Sequence, residues 1–180
     1  MKKVCLILAC TFDGGIGYKD KIPWVNREEM AKFRKITTEC QNGKTNAVIM
    51  GRKTWESLNQ KPLKDRINVV LTSNKKYKSD DCIVRHDIKN AIQYCDTNPI
   101  VDTIFIIGGA RIYDECICYH SFDIYLSVMF DNDAIADTFI DMEKIFSNYI
   151  IKKDLNFSIE HDNRSFASYI CSSKKSKKIL

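Results

Sequence analysis

Apolar positions follow two rhythms along this chain. Short dense runs, VCLILAC, NAVIMG, INVVLTS, CIVRH and VDTIFII, read as buried strands. Between them, apolar residues recur at helical spacing from about 27 to 36, in RKTWESL, in IKNAIQYC and after the glycines of GGARIYDECI. Asn26 is placed to cap the first of these helices. After residue 120 the character changes: FDIYLSVMF, NYIIKKDLNFSIEHDN and SFASYICSS alternate in polarity and are rich in β-branched and aromatic residues. Strands alternating with helices predict an α/β fold with a central, mostly parallel sheet and right-handed crossovers, closed by an antiparallel C-terminal edge. Ligands of such sheets bind beyond the carboxyl ends of the strands. Those ends carry Gly51-Arg52-Lys53-Thr54, Thr72-Ser73 and Gly108-Gly109.

Composition narrows the classes without changing this picture. A length of 180 residues suits one domain, and 44% hydrophobic with 28% charged residues is ordinary for a globular chain. No apolar run approaches the roughly 20 residues of a membrane span. VCLILAC is followed by TFDGGIGYKDK where a signal peptide would need a cleavage site, so it reads as the first strand. Four lysines in the terminal SSKKSKKIL account for all but one of the net +5 charges, so the body lacks the basic surface that nucleic acid requires. The expected division is a folded domain over 1–172 and a basic tail or linker start over 173–180. Eight cysteines form no CxxC pair and make no metal-ligand spacing with His86, His120 or His161; a reducing, cytoplasmic setting without a metal is expected.

Several stretches carry candidate chemistry. IIGGARIY places two glycines between a buried strand and a helix start, where unobstructed backbone N–H groups could approach a pyrophosphate; a tight strand-to-helix turn is the plainer reading. MGRKTWESL repeats that geometry with Arg52 and Lys53 at a helix N-terminus, a place the macrodipole disfavours for cations unless an external anion is met there. Thr72, Ser73 and Arg85 close the next strands with donors, as the phosphates of NADPH would need. Arg66 could grip a carboxylate bidentately, or pair with Asp65 at the surface. Glu29 is three residues past Asn26 and completes a near capping box, yet Trp24, Met30 and Phe33 place it on the helix's apolar side.

Together GIGYKDKIPW, VIMGRKTWESL, PLKDRINVVL and IFIIGGARIY resemble dihydrofolate reductase, in the family's order and approximate spacing, from about residue 3 to 170. The resemblance implies an eight-stranded sheet with helices on both faces. It implies NADPH-dependent reduction of 7,8-dihydrofolate to tetrahydrofolate, serving one-carbon metabolism. Glu29 corresponds to the family's active-site acid, with Trp24 reaching the pterin through water and Ser127 beside the acid. Ile7, Leu8, Ala9, Met30, Phe33, Leu63, Ile107 and Tyr113 are implied around the substrate, and Arg66 at its glutamate carboxylate. For the cofactor the resemblance implies Gly51, Arg52, Lys53 and Thr54 on one side and Gly108, Gly109, Ala110, Arg111 and Ile112 on the other, with a cis peptide between the glycines. Leu71, Thr72, Ser73 and Arg85 would surround the adenosine end, Arg52 or Ser73 reading the 2′-phosphate. Ala9 and Ile107 would also border the nicotinamide, under a closing loop at Ile16 and Gly17. Antifolates such as methotrexate are implied ligands, and fusion to thymidylate synthase beyond residue 180 is a further expectation.

Three departures from the family pattern stand out. Ser127 replaces the usual Thr and is freer to rotate. ADTFIDME lacks the usual Phe-Pro, and Asp13-Gly14-Gly15 predicts a slack closing loop. A pyrimidine reductase of riboflavin synthesis shares the fold but does not need Trp24, Glu29 or Arg66. A non-catalytic nucleotide-binding module would leave Glu29 idle.

Overall fold

The computed structural model describes residues 1–119, 122–130, 134–154 and 166–174. The expectations placed on His120, on the latter part of NYIIKKDLNFSIEHDN with His161, and on Lys175, Lys177 and Lys178 lie outside these residues. Strand β1 (Lys3–Thr11) is the first dense run; a three-residue β2 (Gly15–Gly17) follows, then helix α1 (Arg27–Thr38). The alternation continues with β3 (Thr45–Gly51), α2 (Arg52–Ser57), β4 (Arg66–Leu71), β5 (Ile83–Arg85), α3 (Ile88–Thr97), β6 (Val101–Ile106) and α4 (Ala110–Tyr119). The last third holds β7 (Asp123–Met129), β8 (Thr138–Phe139), α5 (Met142–Asn148), β9 (Tyr149–Lys153) and β10 (Phe166–Ser173).

Eight strands form one sheet in the order β5-β4-β3-β6-β1-β7-β10-β9. Pairing is parallel from β5 through β7, and β10 runs antiparallel to both of its neighbours. The expected mostly parallel sheet with an antiparallel C-terminal edge is therefore present. Period-two alternation assigns its faces. Along β1, Val4, Leu6, Leu8 and Cys10 join the cluster packed under α3, α4 and α5, whereas Cys5 and Ile7 join the cluster with Trp55 of α2 and Phe33 and Ile36 of α1. Helices thus cover both faces, and the central strands are apolar on each side because neither side meets water.

Helix α1 is fixed at both ends. The Asn26 side chain accepts from the Glu28 and Glu29 amides at 3.1 and 2.9 Å. At the other end the buried Asn46 of β3 donates to the Thr37 and Glu39 carbonyls and accepts from Thr103 N–H of β6. One buried amide therefore ties the helix to the sheet and satisfies carbonyls the helix end leaves over.

The structure adds β2, β8 and α5 to the expected elements. Strands β2 and β8 pair as a separate two-stranded sheet, and Asp141 caps α5 where the family's Phe-Pro is missing. Brevity hides β2 and β8, since two or three residues show no period. At Asp13-Gly14-Gly15, where a slack loop is expected, the backbone makes close contacts. Gly14 N–H and Gly15 N–H donate to the Thr11 carbonyl and hydroxyl, and Gly14 accepts from Ile140. A Cβ on Gly15 would lie 2.5 Å from that of Ala136, so the small residue permits close packing. Strand β10 carries through Ser173, the first residue assigned to the tail, and the Lys174 ammonium donates to the Phe146 and Ser147 carbonyls of α5.

Candidate active site

The register of the sheet aligns Ala9 of β1, Ser127 of β7 and Ser168 of β10 in one row. Helix α1 crosses above this row, and its capped first turn carries Glu29. Burial holds the Glu29 carboxyl above its ordinary value of 4.5, while the nearby Lys32 ammonium and a hydrogen bond with Ser127 pull it partly back. Ser127 is only 2% exposed. Trp24 is 8% exposed and packs with Met129, Phe166 and Ala9, forming the wall beside the acid.

Met30 departs from the expected apolar side of the helix, being 60% exposed, because the helix turns it outward past Glu29. Phe33, Leu63 and Ile107 are half-buried against the cluster holding Ile7, consistent with an apolar wall. Arg66 does not pair with Asp65. Its guanidinium donates to the Lys64 carbonyl and the Thr37 hydroxyl, each at 2.8 Å, and Asp65 lies 3.8 Å from Arg34 instead. Burial, with the Arg34 cation nearby, lowers the Arg66 pKa from its ordinary value.

On the other side of β1 the ends of β3 and β6 meet. Gly51 N–H donates to the Gly108 carbonyl at 2.7 Å, and the peptide between Gly108 and Gly109 is cis. Gly108 has φ +104°, and a Cβ there would lie 2.7 Å from the Tyr113 ring; one on Gly109 would lie 3.2 Å from the Thr54 hydroxyl. Tyr113 cannot retreat, since its hydroxyl donates to the Ile7 carbonyl at 2.8 Å inside the core. Ile112 and Tyr113 N–H both donate to the Gly109 carbonyl. The glycines thus hold a cradle open between two strand ends, with Thr54 at its rim, a shape that suits the backbone approach a dinucleotide's phosphates require.

The cations around this cradle are not all idle. Arg52 pairs with Glu56 at 2.6 Å, and Lys53 lies 3.9 Å from Asp20, so the macrodipole argument for an external anion loses its force at Arg52. Both still line a groove of about 300 Å³ with Lys19 and Lys21. Arg85 stacks 4.1 Å from the Tyr94 ring centre and bounds a second groove of about 360 Å³. Thr72 is buried beyond the end of β4, beside Arg85 and exposed Ser73; its hydroxyl accepts from Asn74 N–H. Leu71 ends β4 and Ala110 and Arg111 open α4, while Ile16 and Gly17 lie in β2, with the Gly17 carbonyl accepting from Asp137 N–H.

Lys32 and two residues that face it, Ser168 and Asp154, had no local signal in the sequence. Lys32, one turn along α1, is only 4% exposed; its ammonium donates to Ser127 Oγ at 2.9 Å and to Ser168 Oγ. It lies over the Phe166 ring, 5.6 Å from its centre, and within the field of buried Asp154.

These features define a class: an α/β protein whose sheet presents a shielded acid beside a glycine-lined cradle at the carboxyl ends of its strands. The dihydrofolate reductase family model matches residues 3–171, and the chain belongs to that family. A bifunctional dihydrofolate reductase-thymidylate synthase of Paramecium tetraurelia is 36% identical over 153 residues, covering 84% of this chain and 31% of that protein. A Candida albicans dihydrofolate reductase is 45% identical over 108 residues, 57% of this chain and 55% of that one. The chain thus spans about a third and about half of these two relatives. The fold matches an Enterococcus faecalis dihydrofolate reductase, solved in complex with NADP(H), with a TM-score of 0.75 at 23% identity over 96% of this chain and 97% of that one. Among the described residues no helix is long and apolar enough to cross a membrane.

Proposed function

We propose that this chain is a dihydrofolate reductase, reducing 7,8-dihydrofolate to 5,6,7,8-tetrahydrofolate at the expense of NADPH. The observation that carries the reading is Glu29: a half-buried carboxyl at the sheet's carboxyl edge, hydrogen-bonded by Ser127 and walled by Trp24. A flat ring presenting N–H and amino donors is what such a group recognises, since two parallel hydrogen bonds fix both position and facing side. Ile7, Leu8, Ala9, Phe33, Leu63 and Ile107 give the ring its apolar walls, Met30 covers it from the open side, and Arg66 receives the terminal carboxylate. NADPH supplies the hydride for pterin C6 when bound. Gly51, Thr54, Gly108, Gly109 and Ala110 hold its phosphates, with Arg52, Lys53 and Arg111 as counter-charges. Leu71, Thr72, Ser73 and Arg85 border the adenosine, and Tyr113, Ile112, Ile16 and Gly17 border the ring. Glu29 keeps the pterin oriented while water, held by Trp24, brings a proton to N5.

The same carboxylate would pair with the protonated diaminopyrimidine of methotrexate. The reductase domain reaches through Ser173, works in the cytoplasm, and the basic stretch after it suits a junction with a further domain such as thymidylate synthase. The test is the fall in nicotinamide absorbance on mixing protein, dihydrofolate and NADPH, repeated with NADH. Glu29→Ala should lose about 10²–10⁴-fold in kcat/KM at neutral pH and bind methotrexate far more weakly. Unchanged turnover and unchanged methotrexate affinity would together overturn the assignment.

A further inference from the structure

We propose that Lys32 is a positioning residue for the acid: by donating to Ser127 Oγ it obliges that hydroxyl to give its own proton to Glu29, so a side chain that never meets substrate aims the one that does. The inference rests on the reductase reading for its consequence, but its geometry is independent of it. A serine hydroxyl has one proton and two lone pairs, and nothing in its own structure selects a rotamer as a β-branched residue would. Lys32 removes that freedom. Its ammonium has only donors, so at 2.9 Å from Ser127 it occupies a lone pair and leaves the hydroxyl proton for an acceptor. The acceptor facing Ser127 is the Glu29 carboxylate. Ser168 takes a second ammonium proton, which fixes the lysine between β7 and β10 rather than letting it swing to solvent.

Groups from five parts of the fold face this relay. Glu29 and Lys32 face it from α1, Tyr113 from α4, Asp154 from just beyond β9, and the uncharged Ser127 and Ser168 from β7 and β10. Asp154 is 6% exposed, and its N–H donates to the Ser168 carbonyl at 2.7 Å, so it belongs to the same enclosure. One ammonium thus stands between two carboxylates. Burial lowers the Lys32 pKa, and Glu29 and Asp154 support its charge. A cation so placed also limits how far burial can raise the acid, which keeps Glu29 available as an anion.

The experiment follows the Glu29 side chain directly, by ¹³Cδ titration in protein labelled at glutamate. In Lys32→Met the midpoint should move up by roughly one unit or more. The neutral-pH kcat/KM for dihydrofolate should fall about tenfold or more, and adding Ser127→Thr, which stiffens the rotor, should restore most of it. A midpoint and rate that stay within error of the parent overturn the proposal, as does a rate loss with no movement of the midpoint, the mark of a merely structural lysine. Should Lys32→Met not fold, the parent protein carries the test alone. Its Lys32 ¹⁵Nζ resonance should shift with the same midpoint as Glu29 ¹³Cδ, and independent midpoints overturn the relay. If the parent does not turn over dihydrofolate, the functional reading fails while the titrations still decide the relay.

Discussion

At Glu29 burial and charge act in opposite directions, and burial wins. Because its folded pKa is raised, the native state binds a proton more readily than the unfolded chain does. Stability therefore falls as pH rises from the ordinary value of 4.5 through the folded value, and at neutral pH the ionised carboxylate works against the fold. Glu29→Gln should accordingly melt above the parent at pH 7, by about 2–4 °C for each kcal/mol relieved, with the gap closing as pH falls toward 4.5. Equal melting temperatures at pH 7 would remove this account of the site. The acid itself was legible, since Asn26 three residues earlier and Trp24 beside it mark a capped turn against an apolar wall. Its support was not. Ser127 and Ser168 lie 95 and 136 residues from Lys32, and a lysine on an amphipathic helix reads as solvent-facing until the far strands are in place.

Among the elements, the junction of β6 with α4 is held by a glycine that has no substitute. Gly108→Ala would place a methyl 2.7 Å from the Tyr113 ring at φ +104°, and that ring is anchored to Ile7. Strain of this kind costs about 1–3 kcal/mol, and overpacking adds a similar amount. A fall in melting temperature of several degrees is expected. Gly109→Ala meets only the rotatable Thr54 hydroxyl at 3.2 Å, so it should keep most of the stability and raise the KM for NADPH instead. Comparing melting curves and NADPH titrations of the two variants separates these effects; equal destabilisation would contradict the assignment. The long strands and helices could be read from periodicity because each repeats its pattern several times. The β2 and β8 pair could not, being made by tertiary pairing across more than a hundred residues rather than by local preference.

Across the whole molecule, the dense strands bury their thiols with everything else. Cys5, Cys10, Cys95, Cys116 and Cys171 are buried, and burial pushes Cys10, Cys116 and Cys171 up to about 12. In native protein a thiol reagent should therefore modify Cys40 and Cys118 quickly, Cys82 more slowly, and the buried five only on unfolding, as counted by mass spectrometry. Fast labelling of Cys10 or Cys171 would mean the sheet opens far more readily than its packing implies. The parallel core and antiparallel edge were legible from the switch between dense and alternating runs. The strand order was not, because register between distant strands is set by which apolar faces meet.

That order has a consequence for how the protein is made. Strand β10 is inserted between β7 and β9, so β9 has no other neighbour until the chain has been extended through Ser173. A nascent polypeptide leaving the ribosome can assemble β1 to β7 before Ser168 has emerged. The enclosure around Lys32 and Glu29 is then completed only once β10 has paired, which keeps a chain grown only through β7 from presenting a finished site.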